Sequence, residues 1–326
     1  MSENFAVPPL DPELAPALEA LLSQTPRIDA EPLAQIRDMV SAGFLGEVDL
    51  TVGGAVEVVE RRVPGPPGAP ELTLLVLTPS EGDGLWPLIY NTHGGGMVLG
   101  DAYLEAPRYV DYVAEGLCVF VAVDYRLAPE NPDPAPIEDC YAGLVWTVQH
   151  ADELRIDPAH VVVAGSSAGG GLAAGTTLLA RDRGFPAISH QILLCPMLDD
   201  RFITASSRML DGEGGWDRNE NEFGWTALLG ERRGGEDVSI YAAPGRATVD
   251  QLRGLPRTFM EVGGRETFRD ETIGYALRTS EAGVSVDLHV YAGGFHSYDL
   301  SAPDAAVSKI TKTVRDEYVR RALRAE

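Results

Sequence analysis

Residues 161–169 read Val-Val-Val-Ala-Gly-Ser-Ser-Ala-Gly, an apolar run of strand type that passes directly into the pentapeptide G-x-S-x-G. The small residues that follow predict a helix over 168–182, so Ser167 stands at a sharp strand-to-helix turn. Such a turn holds a hydroxyl clear of the sheet, and the flanking glycines let the backbone crowd there. A serine before a helix is also a common N-cap, so the pentapeptide alone leaves Ser167 as either a cap or a nucleophile.

Strand and helix patterns alternate on both sides of this turn. Strand-type runs are predicted at 56–63, 72–77, 88–91, 119–124, 161–164, 188–195, 258–262 and 284–291. Helical spacing is predicted near 104–115, 137–150, 168–182, 268–282 and 303–324. Strands that alternate with helices form βαβ units, so the sequence predicts an α/β fold with a mostly parallel sheet. The Pro- and Gly-rich residues 64–68 suit a turn between two antiparallel strands at its start.

Two segments stand outside this alternation. Residues 1–45 predict two short amphipathic helices, one beginning at Asp11-Pro12 and one after Asp29. Their apolar faces are predicted to contain Leu14, Leu18, Leu21 and Leu22 in the first helix, and Leu33, Ile36 and Val40 in the second. Residues 199–255 are rich in Gly and charged residues, with Trp216, Phe223 and Trp225 spaced through them. We expect this insertion to lie over the functional edge of the sheet, and the N-terminal helices to form an arm or part of a lid.

A second motif, His93-Gly94-Gly95-Gly96, follows the predicted strand 88–91. Consecutive glycines can turn several N–H groups towards one oxygen, because no Cβ stands in the way. Most glycine triplets are merely flexible turns, but this motif is typical of the oxyanion loop of lipases and esterases. Together with the pentapeptide, it predicts a site for acyl transfer.

Two further segments strengthen this interpretation. Residues 124–130, Asp-Tyr-Arg-Leu-Ala-Pro-Glu, and the helix start at 134–141 resemble the hormone-sensitive lipase family of bacterial carboxylesterases, also called family IV. The similarity extends from about residue 70 to residue 300. The residue before the nucleophile is usually Asp or Thr in that family, and here it is Ser166, which leaves the subfamily and the substrate range open.

The resemblance implies an α/β-hydrolase fold with an eight-stranded sheet. It also implies a helical cap made of residues 1–45 and the insertion 199–238, over a core of residues 46–198 and 239–326. The backbone N–H groups of Gly95, Gly96 and Ala168 would form the oxyanion hole.

The base and the acid of a triad must follow the nucleophile in the order acid, then histidine. His289 and His296 lie late enough, but His289 falls inside a predicted strand. His296 follows Gly293-Gly294-Phe295 in a loop, and it matches the late histidine of the family, so we predict it to be the base.

The acid is expected after the predicted strand 258–262. Residues 267–270 read as a capping box, which gives Asp270 a structural role. Glu266 lies just outside that helix and is the predicted acid, although the family more often has Asp there. Asp199 and Asp200 are the alternative acids.

Composition limits the partners. The chain has 49 acidic and 26 basic residues, a formal charge of −23 that disfavours nucleic acids and anionic membranes and favours a neutral substrate. Cys118, Cys140 and Cys195 are expected to be reduced, buried packing residues of a cytoplasmic protein. We find no signal peptide, membrane helix, metal motif or nucleotide motif, and we expect no cofactor and no metal.

The sequence therefore predicts hydrolysis of small neutral esters of short to medium chain length through a Ser167–His296–Glu266 triad and an acyl-enzyme. A lactone hydrolase would use the same triad. An amidase or peptidase is less favoured because no propeller-like repeat domain is present. A non-catalytic ligand-binding protein on this fold would be expected to lack a triad member. The family resemblance also suggests a homodimer.

Overall fold

Eight strands form a single sheet in the computed structural model, which describes residues 5–24, 27–28, 33–41 and 48–324. Their order across the sheet is β1-β2-β4-β3-β5-β6-β7-β8. The strands are β1 Val56–Val63, β2 Leu72–Pro79, β3 Trp86–Thr92, β4 Val119–Asp124, β5 Ile156–Ser166, β6 His190–Leu194, β7 Arg257–Gly263 and β8 Val286–Tyr291. β2 runs antiparallel to β1 and β4, and every other neighbouring pair is parallel. The predicted α/β architecture with a mostly parallel sheet is confirmed.

Helices precede, connect and follow the strands. They are α1 Ala15–Gln24, α2 Leu33–Ser41, α3 Ala106–Ala114, α4 Ala135–Gln149, α5 Ala151–Leu154, α6 Ala168–Arg183, α7 Ser206–Met209, α8 Arg218–Leu229, α9 Arg269–Glu281, α10 Tyr298–Ser301 and α11 Ala306–Ala322. Short 3₁₀ helices occur at Val52–Gly54, Gly230–Arg232, Pro244–Arg246 and Asp250–Leu252. α3, α4, α6, α9 and α11 fall where helical spacing predicted them, whereas α8 lies in the insertion, where helical spacing predicted no helix. No helix among the described residues is long and apolar enough to cross a membrane.

The core lies on both faces of the sheet, because successive strand residues point to opposite sides. Leu88 and Tyr90 on β3 are fully buried on the face covered by α4, α6 and α9. Ile89 and Val162 are fully buried on the other face, which α3 and α11 cover. This double covering explains why the central strands read as continuous apolar runs rather than alternating ones.

β5 and β6 have ends that differ from the predicted ones. β5 begins at Ile156, five residues before the predicted run 161–164. The prediction missed residues 157–160 because their side chains are exposed or half-buried, so they do not extend the apolar run. β6 ends at Leu194, since Cys195 has a φ of 37° and leaves the strand conformation.

The N-terminal helices use narrower apolar faces than predicted. Leu14 and Leu18 are buried against Phe295 and neighbouring residues of the C-terminal part. Leu22 was expected on the same face, but it is 37% exposed, whereas the neighbouring Leu21 packs against this cluster. In α2 the buried side chains include Leu33 and Ile36, which join the main core. The predicted helix start at Asp29 and the side chain of Val40 lie outside the described residues.

The capping box predicted at residues 267–270 is wrong. Phe268 occupies the N-cap of α9 and makes no side-chain cap. The insertion recruits the two predicted cap side chains instead: Thr267 Oγ1 donates to the Trp216 carbonyl at 2.8 Å, and Asp270 Oδ2 accepts from the Ser206 N–H at 2.9 Å. A capping box does occur within the insertion, where Asp217 caps α8.

Candidate active site

The turn at Ser167 has the strained backbone that a strand-to-helix elbow requires. Ser167 links β5 to α6 with φ 55° and ψ −124°, an uncommon conformation for a residue with a side chain. A Cβ on Gly165 would lie 2.3 Å from the Gly169 carbonyl oxygen, and one on Gly169 would lie 2.0 Å from the Thr92 carbonyl oxygen. The two glycines of the pentapeptide are therefore needed for the close approach of backbone to backbone.

Ser167, His296 and Glu266 form one chain of hydrogen bonds. The Ser167 Oγ lies 3.0 Å from Nε2 of His296, and Nδ1 of the same ring lies 2.6 Å from Oε2 of Glu266. Glu266 follows β7 and is fully buried, whereas His296 follows β8 and is 7% exposed. These are the three residues that the sequence predicted as nucleophile, base and acid.

The other acidic candidates have different partners. Asp199 pairs with Arg201 at 2.6 Å, and Asp200 pairs with Arg246 at 2.6 Å. Glu261 accepts from buried Arg315. In this geometry Glu266 is the carboxylate that contacts His296.

The loop after β3 lies beside the elbow because β3 and β5 are neighbours, with Thr92 opposite Gly165. Gly95 has φ 113° and Gly96 has φ 63°, so the loop uses backbone conformations that favour glycine. Among the described residues, no hydrogen bond engages the N–H groups of Gly95, Gly96 or Ala168. These three groups, which sequence resemblance assigned to the oxyanion hole, are thus available to a ligand oxygen.

His93 supports this loop. Its ring stacks on Tyr125 with 4.1 Å between centroids, and the Tyr125 hydroxyl donates to the His93 carbonyl at 2.8 Å. Burial lowers the pKa of His93 to about 4, so the ring is neutral at neutral pH. His93 therefore packs as an uncharged group, and its low pKa makes it a weak proton acceptor.

The triad residues carry shifted pKa values. Burial raises the pKa of the Glu266 carboxyl, and the adjacent His296 opposes that shift. Burial alone would lower the pKa of His296, but its neighbours Cys195 and Glu266 outweigh burial, and the pKa lies well above its usual value. A histidine with a raised pKa is a stronger base, but it needs a higher pH to be deprotonated.

Cys195 is a site neighbour that the sequence did not indicate. It was expected to be buried packing, yet it is only partly buried and lies beside the triad. Burial raises the pKa of its thiol, and the adjacent His296 opposes that shift. Its position at the end of β6, next to β7, brings it there, and no motif marks that position.

One ligand atom from each of Cys195, Glu266 and His296 lies within 4.8 Å of the others, a spacing that could hold a metal ion. However, the Nδ1–Oε2 distance of 2.6 Å is that of a direct hydrogen bond. Two ligands of a tetrahedral zinc, each about 2.0–2.2 Å from the ion, stand more than about 3 Å apart. The cluster as it stands fits a triad better than a metal centre.

The insertion covers the oxyanion loop. Trp216 is 5% exposed, and a Cβ on Gly96 would lie 2.2 Å from its indole ring. The same ring is 6.5 Å from the ring of His296. A Cβ on Gly224 of α8 would lie 2.7 Å from the Gly96 carbonyl oxygen. Sequence alone placed this insertion over the functional edge but did not single out Trp216.

A mostly parallel eight-stranded sheet, a strained serine elbow after β5 and a Ser–His–Glu chain at its carboxyl edge define an α/β hydrolase. Comparisons with known proteins agree. The family profile described as alpha/beta hydrolase fold matches residues 89–300. The chain belongs to this family, in its hormone-sensitive-lipase-like group.

Its relatives include named esterases. The structure of a bacterial heroin esterase superposes with a TM-score of 0.88 at 41% identity, covering 97% of this chain and 98% of that one. Esterase LipI of Mycobacterium tuberculosis is 30% identical over 89% of this chain and 88% of its own length. Carboxylic ester hydrolase LipN of the same organism is 33% identical over 87% of this chain and 77% of its own length.

Proposed function

We propose that the protein is a carboxylic ester hydrolase that acts through an acyl-enzyme on Ser167. The observation that carries the proposal is the hydrogen-bond chain from Ser167 Oγ to His296 (3.0 Å) and from His296 to Glu266 (2.6 Å). The names of the relatives, which are esterases and carboxylic ester hydrolases, support the same reaction class. A binding protein that had lost catalysis would not need to keep three groups in this order.

The reaction follows from the positions of these groups. Glu266 accepts a hydrogen bond from the Nδ1–H group of His296, which leaves the lone pair of Nε2 facing the Ser167 hydroxyl. His296 takes the hydroxyl proton as Oγ bonds to the ester carbonyl carbon. The carbonyl oxygen becomes an oxyanion that accepts hydrogen bonds from the free N–H groups of Gly95, Gly96 and Ala168.

Collapse of this intermediate breaks the bond to the alcohol oxygen, and the alcohol leaves with the proton from His296. Water then loses a proton to His296 and attacks the acyl-enzyme, and Ser167 recovers its hydroxyl proton as the acid is released. The positive end of α6, which begins at Ala168, favours the negative charge that develops in both halves of the reaction.

The substrate is a neutral ester of short to medium chain length. The contacts of Trp216 and Gly224 with Gly96 leave little room beside the oxyanion loop. Ser167 itself is 7% exposed, so a substrate is largely enclosed when it reaches the hydroxyl. An enclosed pocket buries most of a small ligand and excludes an extended lipid chain.

The cap consists of the N-terminal segment and the insertion 199–238. Contacts between the two support this division: Arg27 pairs with Asp217 at 3.4 Å, and a Cβ on Gly215 would lie 3.3 Å from the Leu21 side chain. The core then comprises residues 46–198 and 239–326.

The protein works in the cytoplasm as a homodimer, without nucleic-acid or membrane partners. The three cysteines are unpaired, which suits a reducing compartment.

The sheet edge supports the homodimer. β8 is a terminal strand of the sheet, and Val290 on it is 44% exposed. Light scattering on the purified chain should give twice the mass of one chain, and a single-chain mass would exclude the dimer.

Steady-state hydrolysis of p-nitrophenyl acetate and butyrate tests the function. Ser167→Ala should fold normally and lose about 10⁴-fold or more in kcat, as expected for removal of a triad nucleophile. Ser166→Ala is the matched control and should lose far less. An inactive natural chain, or a Ser167→Ala variant as active as the natural chain, would contradict the proposal.

A further inference from the structure

A buried carboxylate joins the two loops of the site. Glu105 lies immediately before α3 and is only 6% exposed. Its Oε1 accepts a hydrogen bond from the Gly94 N–H at 3.0 Å and another, very short one from the Ser166 hydroxyl. A single oxygen atom therefore contacts both the loop after β3 and the elbow after β5.

The two donors have a special place in the chain. Gly94 directly precedes Gly95 and Gly96, which carry two of the free N–H groups. Ser166 directly precedes the nucleophile Ser167 and lies two residues before Ala168, which carries the third free N–H group. The shared oxygen thus connects the two halves of the oxyanion hole, one residue before Gly95 in one half and two residues before Ala168 in the other.

The second oxygen of the carboxylate is also held. The Asn91 side-chain amide donates to Glu105 Oε2 at 3.2 Å and to the Ala164 carbonyl of β5 at 3.3 Å. Because both oxygens are engaged, the carboxylate cannot rotate away from Gly94 and Ser166. An ionised carboxylate only accepts hydrogen bonds, which matches three donors around it.

The loop and the elbow are also in close contact at this point. A Cβ on Gly94 would lie 3.2 Å from the Ser166 carbonyl oxygen and 3.5 Å from Glu105 Oε1. Loss of the carboxylate would leave buried donors without an acceptor, and the two backbones would move to find other partners. A displacement of about 1 Å at a reacting centre costs about 10²-fold in rate.

We infer that Glu105 is a positioning residue, which sets the distance between the N–H groups of Gly95 and Gly96 and the nucleophile by holding Gly94 and Ser166 on one oxygen. This inference rests on the ester hydrolysis proposed above. We expect Glu105 to stabilise the transition state more than the bound ester, since the oxyanion exists only after attack by Ser167.

Kinetics and inhibitor binding test the inference. Glu105→Ala should lower kcat for p-nitrophenyl acetate by about 10²-fold with KM changed less than about threefold. Affinity for a trifluoromethyl ketone, which forms an oxyanion on the serine, should fall in proportion to kcat/KM. Glu105→Gln should stay within about tenfold of the natural kcat, because its amide oxygen can accept the same two hydrogen bonds. Ser166→Ala, which keeps the Gly94 contact, should lose about tenfold.

The matched control is Glu115→Ala. Glu115 lies at the other end of α3 and pairs with Arg320 on the surface, so its loss should change neither kcat nor inhibitor affinity. A folded Glu105→Ala variant with natural kcat would overturn the inference. If that variant does not fold, Ser166→Ala decides, and natural kcat and inhibitor affinity in it would overturn the inference. Failure of the natural chain to hydrolyse any ester would instead overturn the proposed function.

Discussion

The Oγ atom of Ser167 and the Nε2 atom of His296 lie 3.0 Å apart, although 129 positions separate the two residues in the chain. Ser167 follows β5 and His296 follows β8, with β6 and β7 between these strands in the sheet. The loop after β8 must therefore reach back over the ends of two strands, past Glu266, which follows β7. The reaction proposed here depends on this return of the loop.

Glu266→Gln tests the acid. The amide keeps the shape of the side chain, but it carries no negative charge and has an NH2 donor that can face Nδ1, so the imidazole is no longer held in one tautomer and loses its counter-charge. We expect kcat to fall by roughly 10³- to 10⁴-fold with little change in the melting temperature.

The controls for Glu266 are carboxylates with partners elsewhere. Asp199→Asn and Asp270→Asn should keep most of the activity, because Asp199 pairs with Arg201 and Asp270 contacts Ser206. An active Glu266→Gln variant beside an inactive Asp199→Asn variant would move the acid to the segment after β6.

The pH profile of kcat/KM should show a shifted acid limb. His296 must be neutral to accept the Ser167 proton, and its neighbours Cys195 and Glu266 raise its pKa above the usual 6.5. A raised pKa keeps the proton on the ring to higher pH, so activity is lost as pH falls through that value. With a non-ionising ester, the midpoint should lie above 6.5. Melting curves over the same range control for unfolding, and a midpoint at or below 6.5 in folded protein would contradict this prediction.

Trp216→Leu should shift the preference towards longer acyl chains. The indole ring packs on Gly96 beside His296, and a smaller side chain opens that space. The ratio of kcat/KM for octanoate to that for acetate p-nitrophenyl esters should rise about tenfold or more, given ~1–3 kcal/mol for each methylene accommodated. Trp146→Leu is the matched control: Trp146 lies in α4 and stacks on His150, so its replacement should leave the ratio unchanged. An unchanged ratio in Trp216→Leu would place the acyl pocket elsewhere.

Linear esters should be better substrates than lactones. Both use the same three side chains, so the preference rests on the esterases among the relatives. Comparing kcat/KM for alkyl esters with lactones of several ring sizes measures it. A lactone favoured by more than about a hundredfold, or ~2.7 kcal/mol of transition-state stabilisation, would reverse this expectation.

The parts of the site that the sequence predicted are those where backbone geometry restricts the residue type. Gly165 and Gly169 have no room for a Cβ, so the elbow requires glycine at both positions and can be recognised in the sequence as G-x-S-x-G. Gly95 and Gly96 have positive φ values, and they belong to the second motif. Ser167, Glu266 and His296 were predicted from these motifs, chain order and family resemblance, and they are hydrogen-bonded in the predicted order. Their catalytic roles stay predictions.

Contacts between residues that are far apart in the sequence and belong to no motif could not be predicted from the sequence. Glu105 belongs to no motif, and its contact with Ser166 joins residues 61 positions apart. Cys195 looked like a packing residue because nothing in its apolar run marks the end of β6. The local pattern at 267–270 was misleading, since Thr267 and Asp270 bond to the insertion and do not cap the first N–H groups of α9.

Covalent labelling tests the assignment of Ser167 most directly. Diethyl p-nitrophenyl phosphate is a neutral reagent that stops after transfer of its phosphoryl group to an activated serine, because the resulting ester hydrolyses slowly. We predict release of one equivalent of p-nitrophenol per chain, one diethylphosphoryl group on Ser167 by peptide mass spectrometry, and no label in Ser167→Ala. Stoichiometric label on Ser166 or another residue, or label that persists in Ser167→Ala, would contradict the assignment.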